Sequence, residues 1–155
     1  MKIGNRVVGP GHPTYIVAEL SCNHGQNYAT AEALVAAAAA AGADAVKLQT
    51  YSADLITIDS EKPQFQLADT PWEDCGTLHK LYTKGETPRA WHRKLRDYAL
   101  SLGLELFSSP FDVGAVQFLE DTVNVPAYKI ASFEITDHAL LKAVAATGKP
   151  VIVST

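Results

Sequence analysis

Three charged residues interrupt apolar runs of the sequence, and they are the first candidates for chemistry. Glu19 lies in IVAEL, Lys47 in AVKLQT and Lys129 in AYKIA. Short apolar runs of this kind predict buried strands, where an ionised side chain loses its hydration and needs a partner or a ligand. Two ammonium groups beside a carboxylate could bind a small anion and move a proton. The alternative interpretation is a structural ion pair between the glutamate and one lysine.

Hydroxyl side chains follow the same kind of apolar run. Ser109 comes after LELFS, Ser132 after YKIA and Ser154 after VIV. Lysine cations, hydroxyls and backbone N–H groups together can replace the hydration of a phosphate or a carboxylate. A single serine is more often a helix N-cap than a ligand, so the inference rests on the set beside the two lysines. The sequence therefore predicts an anion-binding site.

Amide and imidazole side chains come next along the chain. Asn23 and His24 follow the first apolar run, and Gln49 ends the second. Such groups could orient a polar, hydroxylated substrate by hydrogen bonds. His92 falls within a predicted helix, where a surface or packing role is the default interpretation.

The elements that must position these residues form an alternating series. Apolar runs alternate with segments of helical pattern, which is typical of a parallel sheet covered by helices. The carboxyl ends of such strands meet at one edge, where barrel enzymes place their catalytic groups. The predicted strands are residues 16–20, 45–50, 104–108, 127–131 and 151–154.

Helix signals separate these runs, and a hairpin precedes them. The alanine-rich segment after the first run predicts a helix, and glycine, proline and capping residues mark the other boundaries. Residues 2–15 predict a short β-hairpin with a Gly-Pro-Gly-His-Pro loop. The boundary signals are Gly42 for the first helix, Thr87 with Pro88 and Gly103 for the second, Asp112 for the third, and Thr136 or Asp137 and Gly148 for the fourth.

One connection is much longer than the others. Residues 51–86 are polar and rich in turn-forming proline and glycine. A long insertion after a strand is usually functional or mobile, so this segment is predicted to be a lid. Its aromatics Trp72 and Tyr82, with Trp91 beyond it, are expected to be packed against the body of the protein.

Two architectures fit an alternating series, an open doubly wound sheet and a (β/α)8 barrel. The first turn, residues 21–26, has one glycine and no GxGxxG pattern, which argues against a dinucleotide-binding sheet. A whole barrel needs about 250 residues. The prediction is therefore a single α/β domain over residues 1–155, a TIM (β/α)8 barrel truncated to about its first five βα units.

Composition excludes several classes of protein. The 155 residues are 47% hydrophobic, with 13 Lys and Arg against 17 Asp and Glu, and no basic run suggests a nucleic-acid partner. The longest apolar stretch is too short to span a bilayer, which predicts a soluble cytoplasmic protein that binds no membrane. Cys22 and Cys75 lack CxxC spacing and are predicted to be reduced, inert thiols.

Five motifs together resemble a known family. IVAELSCNHGQ, DAVKLQTY, LFSSPFD, PAYKIASFE and KPVIVST are similar, in order and spacing, to the N-terminal half of the sialic acid synthase family. These enzymes join phosphoenolpyruvate to an amino sugar to make nonulosonic acids. LHKLYTKGETPRAWH, FSSPF and YKIASFE most resemble pseudaminic acid synthases, since sequences that make N-acetylneuraminate typically have STPF and KIGS at the equivalent places.

The resemblance implies roles for the residues that match its motifs. It implies that Glu19 is the acid/base group, and that the sugar or the shape of the site depends on Asn23, His24 and Gln49. It also implies a set of contacts to the phosphate and carboxylate of phosphoenolpyruvate, made by Lys47, Ser109, Lys129, Ser132 and Ser154.

The same resemblance implies an activity and its requirements. Phosphoenolpyruvate would condense with a 2,4-diacetamido-2,4,6-trideoxyhexose and water to give a nonulosonic acid and phosphate. The full-length enzyme would be a homodimer that uses Mn²⁺ or Mg²⁺. The ligands of that cation, the second half of the barrel and a C-terminal domain lie beyond Thr155, so residues 1–155 alone are expected to be nearly inactive.

Two alternatives remain open. The first keeps the chemistry but makes the protein an N-acetylneuraminate or legionaminate synthase. The second is a non-catalytic half-barrel that associates with itself, because the first and fifth strands would otherwise lack a neighbour.

Overall fold

A five-stranded parallel sheet organises the chain. The computed structural model describes all of residues 1–155, and the strands lie in the sheet in their sequence order. A doubly wound sheet would reverse its strand order, whereas consecutive βα units of a barrel do not. The predicted half-barrel is thus confirmed. Its strands are β3 Val17–Glu19, β4 Ala45–Thr50, β5 Glu105–Pro110, β6 Tyr128–Ile130 and β7 Val151–Val153.

Six α-helices accompany the strands: α1 Tyr28–Ala40, α2 Ala53–Ile56, α3 Leu78–Gly85, α4 Arg89–Ser101, α5 Val113–Phe118 and α6 His138–Ala146. Side-chain caps fix several starts, because they satisfy N–H groups that have no partner within the helix. Asp112 accepts from the N–H of Ala115 at 2.9 Å, and Asp137 accepts from two N–H groups at 3.0 Å. These two predicted helix starts are confirmed. No helix combines the length and apolarity needed to cross a bilayer.

Two predicted boundaries were wrong. Thr87 is not the N-cap of α4, since Pro88 occupies that position and the Thr87 hydroxyl is bonded to His24 instead. The N-terminal hairpin pairs β1, Lys2–Ile3, with β2, Arg6–Val7, around a turn that contains Gly4. The Gly-Pro-Gly-His-Pro segment therefore follows the hairpin and does not form its turn.

Strand alternation separates the hydrophobic core from the polar face of the sheet. On β4, Val46 and Leu48 are fully buried in a cluster with Val35 of α1 and Leu95 of α4. Successive side chains of a strand point to opposite faces, so Lys47 and Gln49 face the interior of the curved sheet. Burial of the aliphatic side chains under the helices fixes this register, because a slip of one residue would exchange the two faces.

The insertion after β4 is folded over the carboxyl edge of the sheet. It contains α2 and α3, its C-terminal end is bonded to the loop after β3, and its two ends are bonded to each other. The amide of Gln26 donates to the carbonyls of Lys84 and Glu86, and the Glu86 carboxylate accepts from the N–H of Ala53 at 2.6 Å. Trp72 is 56% exposed, so the expected core packing was wrong for this residue.

Candidate active site

A carboxylate and an ammonium group meet where β3 and β4 run side by side. The register places Glu19 opposite Lys47, and the two side chains form an ion pair. The Lys47 Nζ also lies 3.4 Å from the hydroxyl oxygen of Ser109 on β5. The other carboxylate oxygen of Glu19 accepts from the backbone N–H of Ser21 at 3.0 Å. Three adjacent strands therefore bring three of the predicted residues into contact.

A second ammonium group lies on the same face of the sheet. Lys129 on β6 donates to the hydroxyl of Ser154 at 2.6 Å and to the carbonyl of Ile130 at 2.7 Å. Burial lowers the pKa of Lys129, and the positive charge of Lys47 lowers it further, while the charge of Glu19 acts in the opposite direction. Two cations that repel each other share one region, and an anion bound between them would relieve that repulsion.

Glu19, Lys47 and Lys129 form a charged cluster, and the remaining predicted residues lie around it. Asn23 and Gln49 line a large cavity, and Ser132 is exposed at the start of a 3-10 turn, Ser132–Thr136. His24 is 1% exposed and is not on the cavity wall. Its Nδ1 accepts from the N–H of Gln26 at 3.1 Å, which leaves Nε2–H to donate to Thr87, also at 3.1 Å. The His24 side chain thus fixes the loop after β3.

The cavity has a volume of about 870 Å³ and lies between the insertion and the loops that follow β3 to β6. Hydrophobic side chains make up ten of its eighteen lining residues. Tyr51 packs edge-to-face against Tyr82 at 6.1 Å and against Phe111 at 5.5 Å between ring centroids. Neither lysine of the charged cluster lines this cavity. Gln49 links the two regions, because it is the next residue after Lys47 on the same face of β4.

A close approach at the back of the cavity requires a glycine. A Cβ atom on Gly85 would lie 2.6 Å from the Tyr51 hydroxyl and 2.8 Å from the Cys22 sulfur. Real Cβ contacts are not this short, so any side chain at position 85 would displace the cavity wall. The Cys22 thiol in turn lies 3.7 Å from the amide oxygen of Gln49.

Sequence reasoning missed Glu134, which also lines the cavity. Its Oε2 is buried without a hydrogen-bond partner, and burial raises the pKa of its carboxyl group. The charge of Lys129 opposes that shift, which indicates that the two side chains are close enough to interact. The available signal was an acidic residue two positions after Ser132 in the strand-end motif YKIASFE.

The chain's own residues do not form a site for the divalent cation that the resemblance implies. No three side chains of His, Cys, Asp or Glu converge at a spacing that could hold a metal ion. Both cysteines are free thiols.

Comparison with known proteins identifies the family. The model of the NeuB family matches residues 34–155. A pseudaminic acid synthase of Helicobacter pylori is 46% identical over 142 residues, which are 92% of this chain and 41% of that protein. An N-acetylneuraminic acid synthetase of Leptospira borgpetersenii, solved in complex with citrate, superposes with a TM-score of 0.81 at 27% identity, over 99% of this chain and 48% of that one. A spore coat polysaccharide biosynthesis protein of Bacillus subtilis superposes with a TM-score of 0.77 at 36% identity, over 100% of this chain and 39% of that one.

The chain therefore belongs to the NeuB family. It spans less than half the length of the relatives it matches.

Proposed function

We propose that this chain forms the phosphoenolpyruvate-binding part of a nonulosonate synthase of the pseudaminic acid type. The reaction would join phosphoenolpyruvate, a 2,4-diacetamido-2,4,6-trideoxyhexose and water, and would release a nonulosonic acid and phosphate. The observation that carries the proposal is the pair of lysine ammonium groups from β4 and β6, each beside a serine hydroxyl at the carboxyl edge of a barrel sheet. Similarity to the Helicobacter pylori pseudaminic acid synthase supports the choice of product.

The charged cluster suits the anionic substrate. Phosphoenolpyruvate carries a phosphate and a carboxylate, and each oxygen needs charge-assisted donors in place of its water. Lys47 and Lys129 would supply the charge, and the hydroxyls of Ser109 and Ser154 already contact these two ammonium groups. Ser132 is the proposed third hydroxyl. Glu19 brings one negative charge against the two positive charges of Lys47 and Lys129, so these three residues keep a net positive charge for the ligand.

The adjoining cavity suits the sugar. Pockets of about 300–1,000 Å³ enclose molecules much larger than a three-carbon acid, so the cavity has room for a second substrate. Its aromatic and aliphatic walls would hold the acetamido methyl groups and the deoxy carbon of the sugar. The amides of Asn23 and Gln49 would bond its polar groups. The two reactants would then meet near Gln49, where the charged cluster and the cavity adjoin.

The chemistry needs a proton carrier and a fixed geometry. C3 of phosphoenolpyruvate forms a bond to the aldehyde carbon of the open-chain sugar, and the aldehyde oxygen takes a proton and becomes a hydroxyl. Water adds at C2, and the tetrahedral intermediate expels phosphate. Glu19 is the proposed group that accepts the proton of the attacking water. Holding two reactants in an attack geometry can contribute as much as about 7–11 kcal/mol.

Further parts of the proposal concern the whole protein. A divalent cation would need ligands from outside residues 1–155, and we derive no step through it. We extend the proposal to a homodimer in the cytoplasm, with these 155 residues alone nearly inactive.

Calorimetric titration with phosphoenolpyruvate tests the proposal. The chain should bind it. Lys129→Met should weaken binding at least tenfold, because the variant lacks the ammonium group that would donate a charge-assisted hydrogen bond to the ligand. Lys142, exposed on α6, offers a matched control, and Lys142→Met should leave the affinity unchanged. Equal affinities of wild type and Lys129→Met, or no binding by the wild type, would contradict the proposal.

Competition among sugars separates the alternatives within the family. With phosphoenolpyruvate present, the diacetamido sugar should bind more tightly than the precursors of N-acetylneuraminate or legionaminate. The opposite order would favour the alternative activities, of which the likeness to the Leptospira synthetase supports the N-acetylneuraminate one.

A non-catalytic, self-associating module is the second candidate. One observation favours it, since β3 and β7 are the outer strands of the sheet and each has one neighbour. Sedimentation decides the point. A stable dimer that binds no phosphoenolpyruvate would support the module, and a folded monomer that binds it would exclude it.

A further inference from the structure

A buried row of hydrogen-bonding side chains lies behind the candidate active site, between the sheet and α4. His92 Nε2 is 2.8 Å from the Thr50 hydroxyl, which is 2.6 Å from the Ser108 hydroxyl. At the other side of the ring, His92 Nδ1 is 3.2 Å from the carbonyl oxygen of Pro88. The three side chains are at most 1% exposed. The row therefore joins the ends of β4 and β5 to the first turn of α4.

The direction of each hydrogen bond follows from the carbonyl at one end. A carbonyl can only accept, so His92 carries its hydrogen on Nδ1 and its Nε2 is a bare acceptor. Thr50 must then donate to His92, which uses its only hydrogen. Ser108 must consequently donate to Thr50. Each hydrogen has one place in the row, and these hydrogen-bond directions require a neutral imidazole, because a protonated ring would donate from Nε2 to Thr50.

The surroundings keep that imidazole neutral. The pKa of His92 is lowered to about 4, mainly by burial; the hydrogen bond to the Pro88 carbonyl acts in the opposite direction, and the charge of Arg89 adds to the lowering. The ring lies in the first turn of α4, where the positive end of the helix dipole disfavours a cation. The ring also packs against the uncharged ring of Phe118 on α5, at 5.3 Å between centroids.

The row is directly connected to the candidate active site through the backbone. Gln49 precedes Thr50 on β4 and Ser109 follows Ser108 on β5, and these two site residues lie opposite each other in the register. Because side chains alternate along a strand, the pair that faces α4 fixes the orientation of the pair that faces the site. The row therefore contacts β4 and β5 at the residues next to Gln49 and Ser109.

We infer that His92 is a positioning residue, which through Thr50 and Ser108 holds Gln49 and Ser109 in place at the anion-binding edge of the sheet. The expected effect on phosphoenolpyruvate binding rests on the proposed function. The hydrogen-bond directions in the row do not depend on that function. His92 would thus affect substrate binding through other residues and not through a contact of its own with the substrate.

Paired substitutions test the inference. His92→Phe keeps a ring but removes both hydrogen bonds, and Thr50→Val keeps the shape but removes the hydroxyl. Each should weaken phosphoenolpyruvate binding about tenfold. His92→Gln offers an acceptor to Thr50 and should recover most of the affinity, which simple filling of space would not do. His12→Phe, at an exposed position, is the matched control and should bind like the wild type.

Two NMR measurements keep the outcomes distinct. The ¹⁵N spectrum of the wild type should show His92 as the Nδ1–H tautomer. An Nε2–H tautomer would overturn the hydrogen-bond directions assigned to the row. Amide hydrogen exchange at Gln49 and Ser109 should be at least tenfold faster in His92→Phe and Thr50→Val than in His12→Phe. Unchanged exchange and affinity in folded variants would overturn the inference. If the wild type binds no phosphoenolpyruvate, the proposed function fails, and the exchange rates alone decide the positioning role.

Discussion

Lowering the pH should destabilise the folded chain through His92, and the size of the effect follows from its burial. The pKa of His92 is lowered to about 4 from 6.5. Between these values the unfolded chain binds a proton that the folded chain does not, so the free energy of unfolding rises with pH across this window. Each unit of difference is worth 1.36 kcal/mol, which gives about 3 kcal/mol between pH 4 and pH 7.

The assay is urea unfolding at constant ionic strength, from pH 4.5 to pH 7.5, on the wild type and His92→Gln. Other groups titrate in the same range. Burial raises the pKa of Glu134, for example, and this contributes stability that is lost as pH rises, opposite in sign to the effect of His92. The variant keeps these groups, so the difference between the two profiles isolates His92. That difference should grow in favour of the wild type as pH rises towards 7. Parallel profiles would refute the reasoning, since they would mean that His92 binds its proton equally in both states.

Three more predictions follow from single contacts. Gly85→Ala should lower the free energy of unfolding by about 1–3 kcal/mol, because its Cβ would overlap Tyr51 and Cys22. Thermal unfolding measures this, and a variant as stable as the wild type would show that these two side chains move aside freely. Asp112→Ala should cost about 1 kcal/mol through the lost cap of α5, whereas Asp112→Asn, which keeps an acceptor, should cost little; equal losses would contradict the capping role. Raising the pH from 8 to 10.5 should weaken phosphoenolpyruvate binding earlier than an ordinary lysine predicts, because burial lowers the pKa of Lys129, and a flat calorimetric profile would count against its role.

The sequence was sufficient to predict the strands, their order and the polar face of the sheet. Glu19, Lys47 and Lys129 each interrupt an apolar run, and topology alone brings the ends of parallel strands together. What it could not predict depends on tertiary contacts. Thr87 has the residue type of an N-cap, but its hydroxyl bonds a histidine 63 residues away. Trp72 has the type of a core residue, but it lines a cavity that a folded insertion encloses.

Buried polar groups were the other limit of sequence reasoning. Nothing local in WHRKL distinguishes a buried His92 from a solvated one, since its partners come from β4 and β5. Glu134 was likewise visible as a residue but not as a cavity wall. In both cases the environment of the side chain is set by distant segments, which a periodic pattern along one element does not describe.

A crystal structure of the chain with phosphoenolpyruvate tests the central proposal most directly. The phosphate and carboxylate oxygens should lie within hydrogen-bonding distance of the Nζ atoms of both Lys47 and Lys129, with the three-carbon unit turned towards Gln49. A ligand bound away from the two lysines, or held by only one of them, would contradict the account.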